Sequence, residues 1–146
     1  MVQMVNSRQK KLDTMAIVHV ALQNTNSGYP LQVALPAVIS EASQPNTITK
    51  QFGNTFFILH KGQNGTGVFK ALNADIAPNF LANSKQFVVW AAQQGMKQIV
   101  TDFNDPNILR MIQVIASNPP IQGMSFEKFP LKNGGTRVLV NLGGGQ

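Results

Sequence analysis

Apolar and polar positions alternate along the chain with two different periods, and the changes of period mark out its elements. Leu12, Met15, Ala16, His19 and Leu22 recur at helical spacing and predict a first helix, although β-branched Ile17, Val18 and Val20 suit a strand equally well. Ahead of it, Met1 to Val5 is apolar enough for a short strand. Asn24 to Pro30 holds Asn, Ser and Gly and reads as a loop. Leu31 to Ala42 predicts a second helix, broken or kinked at Pro36, and Gln44-Pro45-Asn46 ends it.

The period then shortens. Thr47 to Phe52 alternates loosely, and Asn54 to Lys61, with Phe56, Phe57, Ile58 and Leu59 in succession, predicts a strand. Gly62 to Gly67 forms a turn, its glycines supplying positive φ, and Val68 to Leu72 returns as the partner strand. A helix follows, with Asp75 at its cap and Pro78 in its first turn. Phe80, Ser84, Phe87, Val88 and Ala91 form its inner face, and Gly95 stops it.

Gln98 to Phe103 reads as a buried strand. Asp105-Pro106 opens the last helix, with Ile108, Leu109, Ile112, Ile115 and Ala116 as its apolar stripe and Pro119-Pro120 as its end. Met124 to Leu131 and Thr136 to Leu142 flank Lys132-Asn133-Gly134-Gly135 as a closing hairpin. The expected class is α/β (α+β, mixed sheet): one domain over residues 1–146, with about six to seven strands and about four helices. Residues 1–11 form a basic N-terminal arm or the first strand, and residues 143–146 a flexible Gly-rich tail.

Composition narrows the chemistry. The chain has no cysteine, which excludes disulfides, zinc–thiolate sites and thiol nucleophiles, and fits a reducing compartment. Charged residues make up 12%, about half the usual share, while 14 Asn and 14 Gln take their place. Such a surface hydrogen-bonds without a large desolvation cost when another protein covers it. The net charge of +6 raises the question of nucleic acid, but the basic residues cluster only at Arg8, Lys10 and Lys11, without interleaved aromatics. That arm could touch phosphate or an acidic neighbour. Neither a membrane-spanning run nor a signal-peptide pattern is present in the sequence.

The order of elements, most closely over Thr55 to Leu142, resembles the GNAT-type N-acetyltransferase fold. The resemblance implies an acetyl-CoA site whose pyrophosphate lies on a Gln/Arg-x-x-Gly-x-Gly/Ala loop at a helix start. The matching segment here, Asn73 to Asn79, has neither glycine nor base; Asp75 brings negative charge and Pro78 removes an N–H donor. Gln63 to Gly67 only superficially resembles the missing loop, because it joins two strands. The resemblance also implies a tyrosine acid and a glutamate base. The sole tyrosine, Tyr29, lies far from the expected place, and neither Glu41 nor Glu127 falls on a central strand.

His60, at a strand end, is the one candidate catalytic base, and neither it nor His19 has an acidic partner evident in the sequence. Val68, Phe69, Ala71 and Leu72 are the candidate cofactor contacts, through backbone groups that would hold a pantetheine arm. Asp102 and Asp105 are close enough to raise a metal site, but Asp105 has a capping role and no metal is expected.

The expected function is therefore a non-catalytic structural or assembly protein with no cofactor. Its partners would be other protein subunits in a homo-oligomer or larger assembly, not a membrane. Small proteins of tailed-phage virions are similar in outline and composition, which implies a virion-associated protein made in the host cytoplasm. The alternatives are an atypical acetyl-CoA-dependent N-acetyltransferase and a basic nucleic-acid-binding accessory protein.

Overall fold

The computed structural model of the chain describes residues 13–24 and 31–143. The strand expected at Met1 to Val5, the Arg8, Lys10 and Lys11 cluster, Tyr29 and residues 144–146 of the tail lie outside them. Helices α1 (Thr14–Asn24) and α2 (Leu31–Ala42) precede strands β1 (Thr47–Phe52), β2 (Thr55–Lys61) and β3 (Thr66–Asn73). Helix α3 (Ala77–Gln93), strand β4 (Gln98–Phe103), helix α4 (Pro106–Ser117) and strands β5 (Ser125–Pro130) and β6 (Thr136–Asn141) complete the order.

The six strands form one sheet in the order β1-β2-β3-β4-β6-β5. Every neighbouring pair is antiparallel except β3 and β4. Two parallel neighbours need a crossover, and α3 supplies it.

Strand β2 shows why its sequence is an unbroken apolar run. Phe57 and Leu59 point into a cluster with Phe87, Val88 and Ala91 of α3, whereas Phe56 and Ile58 point to Ile17 and Val18 of α1. Both faces are covered, so alternation disappears. Phe57 and Phe87 stack with ring centroids 4.3 Å apart, a pairing that adds about 1 kcal/mol beyond the area it buries.

The first helix turns its buried face away from most of the predicted positions, although Leu22 does pack against it. Ile17, Val18 and Ala21 are buried, while Met15 is 48% exposed and His19 also faces solvent. Apolar residues lie on both sides of this helix, so period alone could not choose between the two faces. The Asp13 carboxylate accepts the Ala16 N–H at 2.8 Å and closes the helix start. Helix α2 runs through Pro36 as a single helix rather than breaking there. No helix among the described residues is long and apolar enough to cross a membrane.

Candidate functional site

Strands β3 and β4 pair over only three positions, Thr66 with Gln98, Gly67 with Ile99 and Val68 with Val100. Beyond them both strands continue, β3 to Asn73 and β4 to Phe103, without meeting. Over the same stretch β3 keeps β2 on its other side, as far as the pairing of Thr55 with Asn73. A wedge therefore opens in the middle of the sheet.

Helices α3 and α4 roof the wedge and leave a cavity of about 370 Å³ beneath them. Its walls are largely apolar, with Phe57, Phe69, Phe80, Phe87, Ile112 and Phe126 among them. Three of the four candidate cofactor contacts, Phe69, Ala71 and Leu72, line this cavity. Val68 sits at the last β3–β4 pair and is 49% exposed.

Leu72 and Phe80 line the cavity on either side of the connection from β3 into α3, and the polar groups of that connection are turned inward on one another. The Asp75 N–H donates to Asn73 Oδ1 at 3.0 Å, and the Ala74 N–H to the Asn54 carbonyl at 2.9 Å. The Asp75 carboxylate accepts the Asn54 N–H at 2.8 Å and Asn83 Nδ2 at 2.7 Å. Asn83 is buried, and its second N–H goes to Thr55 Oγ1 at 3.0 Å. Thr55 in turn donates to Asn73 Oδ1 at 2.8 Å. These bonds form a closed circuit within the protein.

Asp75 was expected to cap α3, but the cap position belongs to Ile76, which offers no side-chain acceptor. The reason is visible in the circuit: the carboxylate satisfies Asn54 and Asn83 instead of the helix N–H groups. Pro78 has no N–H, and that of Phe80 already meets the Ile76 carbonyl at 2.9 Å. Of the donors along this connection, those of Ala74, Asp75 and Phe80 are spent and Pro78 offers none, and a negative charge lies beside them.

The Gln63 to Gly67 segment is a short 3₁₀ turn, Gln63–Gly65, between two strands, with no helix start aimed at a ligand. Only part of the glycine reading holds there. Gly65 has a φ of 74°, but Gly67 is not in the left-handed region. Gly67 is buried against Leu59 and Met96, where a Cβ would come within 2.8 Å of Leu59 Cδ1.

His60 has the acidic partner that the sequence did not reveal. Its Nε2 lies 2.8 Å from Glu41 Oε2, and its Nδ1 lies 2.9 Å from Thr47 Oγ1. Lys70 donates to the other Glu41 oxygen at 3.1 Å. Partial burial acts to raise the Glu41 carboxyl, but the hydrogen bonds from His60 and Lys70, with their charges, outweigh it and hold it below the ordinary carboxylate range.

Alternation along β2 places His60 on the α1–α2 face with Phe56 and Ile58, opposite the face that carries Phe57 into the cavity. His60 does not line the cavity, and both of its nitrogens are engaged. The pairing escaped the sequence because 19 residues and a change of element separate Glu41 from His60.

Asp102 and Asp105 do not converge. Arg137, directly opposite on β6, grips Asp102 through two bonds of 2.8 and 3.0 Å, and this hydrogen bonding lowers the Asp102 carboxyl. Asp105 accepts the Asn107 N–H at 2.9 Å as the cap of α4. Among the described residues no three metal-ligating side chains come together.

No protein-family model matches the sequence, and no curated protein matches it. Solved structures do match. The ribosomal-protein-S18-alanine N-acetyltransferase from Escherichia coli superimposes with a TM-score of 0.52 at 10% identity, over 90% of this chain and 89% of that one. An acetyltransferase of the GNAT family from Streptococcus pneumoniae gives a TM-score of 0.47 at 9% identity, over 88% and 91% of the two chains. Identity this low speaks for the fold and not for the chemistry. The six-stranded mixed sheet with its four described helices is a GNAT-type N-acetyltransferase fold.

Proposed function

We propose that this chain is a non-catalytic binding component: a GNAT-like domain that joins other protein subunits in a larger assembly, such as a tailed-phage virion put together in the host cytoplasm. One observation carries the reading. At the start of α3, where an acetyl-CoA pyrophosphate would need free N–H groups, those of Ala74 and Asp75 are taken and the Asp75 carboxylate stands beside them. An anion brought there meets charge repulsion and a connection that has lost the Ala74 and Asp75 donors to internal bonds.

The sparse charge and the 28 amide side chains support the same reading, because an amide-rich surface is cheap to cover. Thermal denaturation with acetyl-CoA tests it. A cofactor present at a hundred times its dissociation constant would add about 2.7 kcal/mol of stability. The expected result is no shift at millimolar acetyl-CoA, and a saturable rise would overturn the proposal. The size of the native complex is the second measurement: a component of an assembly elutes with it, and a monomer in its native setting contradicts the role.

The wedge between β3 and β4 favours a second reading, an atypical acetyltransferase that holds the pantetheine arm through Val68 to Leu72. It requires a pyrophosphate contact outside the β3–α3 connection. The same acetyl-CoA titration separates the two.

A further inference from the structure

Building on the binding-component reading, we infer that the wedge receives an extended segment of a partner protein. This segment adds a strand to β3 beyond Val68, buries one apolar side chain in the cavity, and sets an acidic side chain against Arg110.

The unpaired edge is the first ground. From Phe69 to Asn73, alternate backbone N–H and C=O groups of β3 face the wedge, and no backbone partner meets them there among the described residues. A compact apolar ligand would fill the space but leave those groups unmatched. An extended peptide presents donors and acceptors at the same spacing, with main-chain bonds for affinity and pockets for alternate side chains.

The second ground is the shape of the space. The cavity continues into a wider groove of about 820 Å³, and both include Ala71, Leu72, Phe80, Ile108 and Met111 in their walls. A segment lying along the groove can thus drop one phenylalanine, leucine or methionine between α3 and α4. A single apolar anchor in a desolvated pocket commonly dominates such contacts. Val114, 49% exposed, extends the apolar wall outward.

Charge gives the third ground. Arg110 stands on the groove wall and has no ion pair among the described residues. The acidic groups nearby are already engaged: Asp105 at the positive end of α4, and Asp102 by Arg137. Asp105 shares the groove wall but is held by the Asn107 N–H, so Arg110 is the charged side chain there without a bonded partner among the described residues, and it selects an acidic residue on the incoming segment.

The test uses the full chain and a panel of capped peptides that alternate valine and threonine around a central phenylalanine, leucine or methionine, each bearing a terminal glutamate. Titration followed by amide hydrogen exchange should show saturable binding with new protection confined to residues 69–73. Arg110→Glu, a change on an exposed helix face, should weaken the glutamate peptides about fivefold and leave glutamine versions unchanged. Ala71→Phe, which narrows the cavity, should abolish binding of the peptide with the largest anchor.

No saturation by any peptide, protection elsewhere, or indifference to Arg110→Glu would overturn the inference. If the peptides fail while the native chain still travels in a large complex without affinity for acetyl-CoA, only the wedge is lost as the docking site. If acetyl-CoA binds and is turned over, the binding-component reading itself falls.

Discussion

The buried side chain of Asn83, in the second turn of α3, donates to the carboxylate of Asp75 at 2.7 Å, so the charge ahead of α3 is part of the protein's internal bonding. Asp75 is thereby held away from the helix start it was expected to cap. A carboxylate that satisfies a backbone N–H and a buried amide cannot also leave room for an anion.

Removing Asn83 should be costly. Asn83→Ala leaves Thr55 Oγ1 without its donor and strips one of the donors from the Asp75 carboxylate, which keeps those of Asn54, in a region where water has little access. Loss of about 1–3 kcal/mol in urea denaturation is expected. A loss below about 0.5 kcal/mol, the scale of a bland surface change, would show that the circuit contributes little.

Neutralising Asp75 should not create a cofactor site. Asp75→Asn removes the negative charge, but the Ala74 N–H still meets Asn54 and the residue-75 N–H still meets Asn73. The variant is expected to show no more thermal stabilisation by acetyl-CoA than the parent chain. A saturable gain would mean that charge alone, and not donor occupancy, closes the site.

Much of this fold is legible in the sequence because its signals are local. Asp105-Pro106 marks the start of α4 by chemistry confined to three residues, and the Asn133-Gly134 turn fixes the last hairpin. The buried run Phe56 to Leu59 declares a central strand without reference to anything else. The wedge is different. Gln98 to Phe103 reads as a strand whether or not its whole length pairs with β3, so the divergence after Val68 leaves no mark in the pattern. The Asp75 circuit joins Asn54, Asn73 and Asn83, and each of these residues is unremarkable in its own neighbourhood.

Glu41 should give the protein an acid-sensitive component of stability. Its carboxyl is held below the ordinary range when folded, so its contribution is fully present above that range and disappears as pH falls through the lowered value. Glu41→Gln should cost about 1 kcal/mol near neutral pH, the scale of a partly exposed ion pair. That difference should shrink as pH falls below the ordinary carboxylate range of ~4. A gap between the two proteins that stays constant with pH in urea titrations would detach Glu41 from this role.

Gly65 and Gly67 sit two residues apart and should fail for different reasons when replaced. Gly65 has a φ of 74°, so Gly65→Ala incurs backbone strain of about 1–2 kcal/mol, whatever the neighbouring side chains. At Gly67 the backbone is permissive and space is the limit. A Cβ there would stand 2.8 Å from Leu59 Cδ1, 3.0 Å from Met96 Sδ and 3.2 Å from the His60 carbonyl oxygen. Overpacking of this kind costs about 1–3 kcal/mol. Shortening Met96 to alanine should therefore recover part of the Gly67→Ala loss, since the two sites share one volume and their effects are not additive. The same second change should recover nothing in Gly65→Ala. Equal, additive costs in both double variants would mean that Gly67, like Gly65, is kept for its backbone, and that the β3–β4 junction is not limited by packing at the point where the wedge begins.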